Sequence, residues 1–459
     1  MQAPPESPAT RRAFLSAAGV SAVSYQRILG ANHRIQIGFI GYGLIGKRHV
    51  TDLKAMPDVD CAAVCDVYQP RVEAGLAHCG PQAKGYSDFR KLYENKDIQG
   101  IVVGTPDHWH ALLTILACAA GKDVYVEKPL TLFVREGRWI VNAAKKYQRV
   151  VCSGTQRKHN PEVKIGREMV ASGRLGKVHT VRVSAIRNIY PGFGRTPVSE
   201  PPPGFDYDLW LGPAPKKPYT QHRGLYHFRW FWDFAGGQMT NLGAHDLNKI
   251  HYVMGANAPT AVYSGGGRYA LEDDCETPDL QDTVFTYPGF TVLYSMREAN
   301  ALPDISGIRF LGTKGNLIFR DGSYEAVPEM RGDPTDQIPG WQGHPPGGPV
   351  GSHTAPTPWM VGAKDRPPTE DVMILNKRDW IECIRTRRQP FSDAEDGHRV
   401  ATACHLANLS LRLGRALRWD PVKEEIPGDK EASALLERPY RKPWDSVLAS
   451  LNVTKGRHS

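Results

Sequence analysis

The 459-residue sequence has eight cysteines but no CxxC pair among them, so neither a zinc ribbon nor a disulfide scaffold is indicated. It has no run approaching the roughly 18–20 continuous apolar residues of a membrane span, and none is expected. It also lacks a basic run interleaved with aromatics. The excess of 57 basic over 48 acidic residues gives a net charge of +9, which would suit an anionic partner. The lysines and arginines of 135–149, however, are spread along a predicted helix as a solvated face, so no nucleic-acid partner is expected. No internal repeat and no low-complexity segment is present. Cys61 and Cys65 fall on the same side of one predicted strand and are expected to be small buried hydrophobes.

What is present suffices for a folded core. Apolar residues make up 41% of the chain, and its length points to two domains. The 45 glycines and 36 prolines exceed a usual share of roughly 12%. They concentrate at 191–218 and 321–370. Both stretches are aperiodic and contain tryptophan or tyrosine, so they are predicted to be ordered loops over a sheet or at an oligomer interface.

Thr10-Arg11-Arg12-Ala13-Phe14-Leu15 opens a short apolar segment, 13–24, which resembles the twin-arginine export signal of bacteria. Residues 1–31 are therefore predicted to be a signal segment and the protein to be exported, to the periplasm. Ile28-Leu29-Gly30-Ala31 lacks a clean A-x-A cleavage site, and an uncleaved amphipathic tail is the other reading.

From Arg34 the pattern changes. A β-branched run, 35–40, leads at once into Gly41-Tyr42-Gly43-Leu44-Ile45-Gly46 and then a helical segment. This is G-x-G-x-x-G between strand and helix. Gly41 allows the tight turn, Gly43 lets backbone approach a pyrophosphate, and Gly46 lets the helix lie close. A second strand ends at Asp66, about 20 residues on, where a carboxylate accepts from ribose hydroxyls and repels a 2′-phosphate. NAD is therefore expected rather than NADP, although Arg71 is near. Strands and helices keep alternating to about residue 153, which predicts a doubly wound parallel sheet over 34–153. Thr105-Pro106 with His110, and Glu127-Lys128-Pro129, follow strand ends and are expected at the nicotinamide half.

These motifs, together with Gly236-Gly237-Gln238-Met239-Thr240-Asn241-Leu242-Gly243-Ala244-His245, resemble the Gfo/Idh/MocA oxidoreductase family. The resemblance covers most of 34–421. It implies an α/β fold: a Rossmann domain, then an α/β domain over 154–421 with a large, open, mostly antiparallel sheet that forms homodimers or homotetramers. The helices expected at 371–387 and 396–413 close that domain, and the charged tail 422–459 is expected to be peripheral.

Oxidising a secondary alcohol requires a base for the hydroxyl proton and a cation beside the developing oxyanion. Lys128 ends a strand and is braced by Pro129. Spacing alone reads it equally as a lysine reaching solvent; the resemblance implies a catalytic role. His245 lies four residues after Asn241 on one predicted helix, so the two share a face. Asn241 stands where the resemblance implies aspartate; it orients but cannot take a proton, so the acid–base work falls on His245 and Lys128. Gln156 and Arg157 after the next strand, and Trp232 and Asp233 in the aromatic cluster 226–233, are predicted substrate contacts. Core packing is an equal reading of that cluster. His108, His110 and His245 have no carboxylate or cysteine to complete a set, so no metal is expected.

The expected activity is exported, NAD-dependent oxidation of a small-molecule carbohydrate, a sugar, glycoside or polyol, with a nucleotide that is tightly bound or dissociates between turnovers. A redox-neutral glycosidase that oxidises, eliminates and reduces again would use the same residues. A nucleotide-holding protein without turnover is the third reading.

Overall fold

The computed structural model describes residues 34–301, 307–330 and 357–454; the predicted leader, 1–31, lies outside the described residues. Strands β1 (Ile35–Ile40), β2 (Val59–Cys65), β3 (Lys84–Tyr86), β4 (Gly100–Val103), β5 (Asp123–Val126) and β6 (Val151–Ser153) form a parallel sheet ordered β3-β2-β1-β4-β5-β6. Helices α1 (Leu44–Lys54), α2 (Gln69–Cys79), α3 (Phe89–Glu94), α4 (Asp107–Ala119) and α5 (Val134–Lys146) connect them. Every residue of β4 and β5 is buried, as strands covered on both faces require. The strand order reverses between β1 and β4, which opens a crevice at their carboxyl ends.

Cys61 and Cys65 do not share a face. The register of β2 slips at Ala62, between the pairs Ile37 with Cys61 and Gly38 with Ala63. The extra residue reverses the alternation, so Cys61 packs with Ile37 and Val50 while Cys65 joins Ile40 and Ile101.

Helices α6 (Pro161–Ala171), α7 (Tyr207–Leu211), α8 (Gly237–Asn241) and α9 (Gly243–Met254) belong to the second half. Its sheet contains β7 (Val178–Ile186), β8 (Ala261–Gly267), β9 (Leu280–Tyr287), β10 (Phe290–Arg297), β11 (Gly307–Gly312), β12 (Gly315–Arg320), β13 (Ser323–Pro328), β14 (Ala363–Asp365) and β15 (Leu417–Arg418). Their order is β14-β13-β12-β11-β7-β10-β9-β8-β15, antiparallel throughout except for β7 beside β10. Buried residues alternate along β9 and β10, and Phe285, Val292 and Met296 meet Leu247, Ile250 and Val253 of α9. Strands β13 and β14 fall inside 321–370, so that stretch is not all loop: Tyr324 pairs with Asp365 at the sheet edge. Its central part, 331–356, lies outside the described residues.

Helix α10 (Val372–Thr386), grouped by sequence with the second domain, packs on the first sheet. Its Trp380 is fully buried with Ile37 and Val102. Helix α11 (Ala394–Leu413) is buried along most of its length because it lies between the two halves, Ala401 in one core and Val400 and Cys404 in the other. The Asp393 side chain caps α11 by accepting from the Asp396 N–H at 2.8 Å. Asp393→Ala is expected to lower unfolding stability by about 1 kcal/mol, read as a lower urea midpoint at unchanged slope.

The C-terminal tail is not peripheral. It carries α12 (Lys430–Ala434) and α13 (Trp444–Ser450), and Tyr440, Trp444, Leu448 and Val453 are buried in the nucleotide-domain core. Trp444 meets Trp109 edge-on at 5.0 Å, and the Tyr440 hydroxyl donates to Glu136 at 2.7 Å. Lys430, Glu431, Glu437 and Lys442 lie exposed between the apolar residues, which hid the tail's buried side from a composition-based reading, while Glu424 is itself buried against Arg138 and His398.

Candidate active site

The glycine turn sits where β1 meets α1. A Cβ on Gly46 would lie 2.1 Å from the Gly41 carbonyl oxygen, and one on Gly41 would lie 2.7 Å from that of Gly104, so both positions admit only glycine. Gly43 instead faces open space, with only the Arg71 guanidinium within 4 Å. Its N–H lies beside the start of α1, the place where a pyrophosphate is held.

Gly41, Gly43, Leu44, Ile45, Asp66, Thr105 and Pro106 line one cleft of about 860 Å³. Leu44 is 74% exposed there, an apolar side chain that a bound nucleotide would cover. Asp66 accepts from the backbone N–H groups of Tyr42 at 2.7 Å and Tyr68 at 3.0 Å, which aims its carboxylate along the cleft. Burial raises its carboxyl while Arg71 and these N–H groups oppose the rise. Tyr42 contributes its backbone only; its ring is buried and its hydroxyl bonds His78 at 2.8 Å. These residues suit a dinucleotide with an unphosphorylated adenosine ribose.

The far wall comes from the second half of the chain. Leu209, Trp210, Leu225, Tyr226, Phe228 and Arg229 complete the cleft. The Pro/Gly-rich stretch 191–218 reaches this wall by pairing with the loop after β2: Gln69 N–H donates to Gly204 O at 2.9 Å and Asp206 N–H to Val67 O at 2.8 Å. Sequence reasoning marked Tyr226, Phe228 and Arg229 within the aromatic cluster but missed Leu209, Trp210 and Leu225, because no motif marks a loop that becomes a wall only by crossing between domains.

At the end of β5, Lys128 extends its Nζ to Asn241, donating to Oδ1 at 2.7 Å and to the backbone carbonyl at 3.0 Å. Asn241 is held in turn: its Nδ2 donates to Gln238, and Gln238 donates to buried Glu298 at 2.7 Å. Asn241 and His245 are carried by two helices, α8 and α9, that meet at Leu242. Burial pushes the Lys128 ammonium down to about 8, with Arg229 and Arg157 adding and Glu127 and Asp107 opposing. Burial, then Lys128, Arg157 and Lys249, pushes His245 well below the ordinary imidazole range. His245 is therefore a neutral imidazole at pH 7 beside a mostly protonated lysine, a base and a cation on one site. Its Nδ1 has no hydrogen-bond partner among the described residues.

Other expected residues turn elsewhere. His110 places its ring nitrogens 2.7 Å from the Pro129 carbonyl oxygen and 2.9 Å from that of Thr105, so it braces the two motif loops instead of touching a nucleotide. Glu127 faces His49 behind the strand, at 3.1 Å. His108 bonds the Trp210 carbonyl, and no group of three or more metal-ligating side chains forms among the described residues. Gln156 is buried with its Oε1 unpartnered, and Arg157 follows it on a single turn, Gln156–His159. Trp232 and Asp233 are half-buried and line no part of the cleft: Arg412 stacks on Trp232 at 5.2 Å, and Asp233 pairs loosely with Lys217 and Arg438. Of the aromatic cluster, Trp230 and Phe231 are core, whereas Tyr226, Phe228 and Arg229 reach the cleft. Arg229 and the buried Asp107 are both electrostatically coupled to Lys128, a role their segments had not been given in the sequence reading.

Residues 35–155 match the domain described as "Oxidoreductase family, NAD-binding Rossmann fold", and residues 159–267 with 368–446 match its "C-terminal alpha/beta domain". The chain belongs to the Gfo/Idh/MocA oxidoreductase family. Among its relatives is a myo-inositol 2-dehydrogenase from Thermotoga maritima, 25% identical over 84% of this chain and 99% of its own. Similar solved structures share the fold. One is a levoglucosan dehydrogenase in complex with NADH and levoglucosan, 16% identical over 84% of this chain and 99% of its own, with TM-score 0.62. Another is the WlbA dehydrogenase of Bordetella pertussis with NADH and UDP-GlcNAcA, 18% identical over the same shares, with TM-score 0.60. This family member thus carries an NAD-binding domain whose glycine turn, Asp66 and cleft fit that nucleotide. No helix among its described residues is long and apolar enough to cross a membrane.

Proposed function

We propose that this oxidoreductase oxidises a secondary hydroxyl of a sugar, glycoside or polyol. The observation that carries the reading is the Lys128 ammonium fixed on Asn241 beside a buried neutral His245. Neither Lys128 nor His245 is among the residues lining the cleft, but Arg229, which does line it, is electrostatically coupled to Lys128. Bound nicotinamide supplies the hydride acceptor. His245 takes the hydroxyl proton, and Lys128 donates a hydrogen bond to the oxygen as its charge develops. Arg157 and Gln156, on the turn after β6, are the proposed contacts to the remaining hydroxyls, a reading supported by the electrostatic coupling of Arg157 to both Lys128 and His245.

The pairing of 67–69 with 204–206 straps the cleft, which supports a nucleotide retained between turnovers. Export through the segment around Arg11 and Arg12 is part of the proposal and fits a protein that captures its nucleotide before transport. So is assembly into dimers or tetramers through the outer face of the nine-stranded sheet, where Tyr263 and Val284 are exposed.

Denaturing the purified protein is expected to release NAD or NADH. Incubation with NAD and a panel of inositols, levoglucosan, free sugars and glycosides is expected to raise the absorbance of reduced nicotinamide. An empty protein that stays silent across the panel would overturn the reading. Aglycone release without net reduced nucleotide would select the redox-neutral route.

A further inference from the structure

Behind Lys128 lies a set of buried charges that the reacting side of the site does not touch. Glu127 turns away from the cleft: its Oε2 accepts from the Lys128 backbone N–H at 3.1 Å, and its Oε1 stands 3.1 Å from His49 Nε2. His49, on α1, is fully buried and packs edge-on against Tyr125 at 5.2 Å. Lys377, on α10, is equally buried and places its Nζ 2.8 Å from Asp52. Arg48 meets the other Asp52 oxygen at 2.7 Å, so that carboxylate is compensated twice. Glu127 has no such excess of partners, and burying a carboxylate is unfavourable unless its charge is used or compensated.

We propose that Glu127 is a positioning residue: seated against His49, it keeps a fixed negative charge behind Lys128 and so holds Lys128 in its ammonium form. The inference rests on the reading of Lys128 as the group that meets the substrate oxygen. Lys128 is faced by Glu127 on its own segment, Asp107 on α4, Arg157 on the turn after β6, Arg229 on the turn His227–Trp230, Asn241 on α8 and His245 on α9. Glu127 is faced by His49 on α1 and Lys377 on α10. Burial and the two arginines work against the ammonium, leaving the two carboxylates to favour it. Burial raises the Asp107 carboxyl. Burial would also raise Glu127, but the His49 ring against it and the charges of Lys128 and Lys377 hold its carboxyl low, so it is the dependable anion. His49 itself is pushed down by burial and acts as a neutral partner.

The test requires no substrate. Lys128 is half-buried, and trace acetylation of the full chain with acetic anhydride, followed peptide by peptide in mass spectrometry against exposed Lys91, reports the free-amine fraction at each pH. The wild-type midpoint is expected near 8. Glu127→Gln keeps the shape but removes the charge, and is expected to label Lys128 about fivefold faster at pH 7, against a ceiling of about elevenfold set by a midpoint near 8. Glu127→Asp, which draws the charge back by one methylene, is expected to give about threefold and stands in if Glu127→Gln does not fold. A folded Glu127→Gln protein labelling within twofold of wild type, or an unchanged Glu127→Asp protein if that one must stand in, overturns the inference. The catalytic reading fails separately: a Lys128→Met protein that keeps turnover sinks it, whatever the labelling shows.

Discussion

Replacing Lys128 with methionine is expected to lower kcat by about 10²–10³-fold while leaving the fold and the nucleotide content unchanged. The estimate is what removal of one well-placed donor to a developing oxyanion costs. Methionine keeps the unbranched stem and most of its packing while lacking the terminal ammonium, so the loss reports the ammonium itself. The same group is expected to set the upper pH limit. Burial brings the Lys128 ammonium down to about 8, so the active protonated form is complete well below that value and is lost as pH rises through it. The pH profile of kcat/KM is accordingly expected to fall above pH 8, approaching tenfold per unit. A profile that instead rises through pH 8 would make Lys128 the base and exchange the roles assigned here.

Changing His245 to glutamine is expected to cost about 10²–10⁴-fold in kcat, the range for removing a general base. Glutamine still hydrogen-bonds a hydroxyl but cannot take its proton, so KM is expected to move little. The sign of the pH effect follows from burial. Burial, Lys128, Arg157 and Lys249 all disfavour the imidazolium, so the neutral base persists well below pH 6.5 and the acid side of the profile stays flat through the neutral range. A decline centred near 6.5 would show that His245 is more hydrated in the working enzyme than its packing indicates. Retention of full kcat in His245→Gln would remove it from the mechanism.

The two halves of the site were legible to different degrees. The glycine turn was readable because its requirements are local: Gly46 cannot bear a Cβ within 2.1 Å of a carbonyl five residues earlier, and strand, turn and helix are contiguous. Asp66 was readable for a similar reason, standing at the end of the neighbouring strand. Lys128, Asn241 and His245 were singled out through motif resemblance, and the contact of Lys128 with Asn241 joins segments 113 residues apart. Glu127 and His110 were placed in the wrong direction. Residues next to a site in sequence alternate outward and inward, and only the neighbours, His49 in one case and two backbone carbonyls in the other, decide which way each faces. The tail was misread because four well-spaced apolar residues do not outweigh a charged composition, although together they complete a core.

The sequence by itself determined a nucleotide-binding sheet, its glycine turn and acid, the absence of a long apolar run, and a pair of motifs carrying a lysine and a histidine. These depend on periodicity and backbone geometry over a few residues, where sequence and structure are tied by local sterics. The tertiary structure alone decided that a Pro/Gly-rich stretch becomes the cleft wall and that α10 and the tail return to the first sheet. It also decided that burial and neighbouring charges lower the Lys128 ammonium and the His245 imidazole below their ordinary values. Burial and charge act through space, and their sources here lie scattered from Asp107 to Lys249 along the chain.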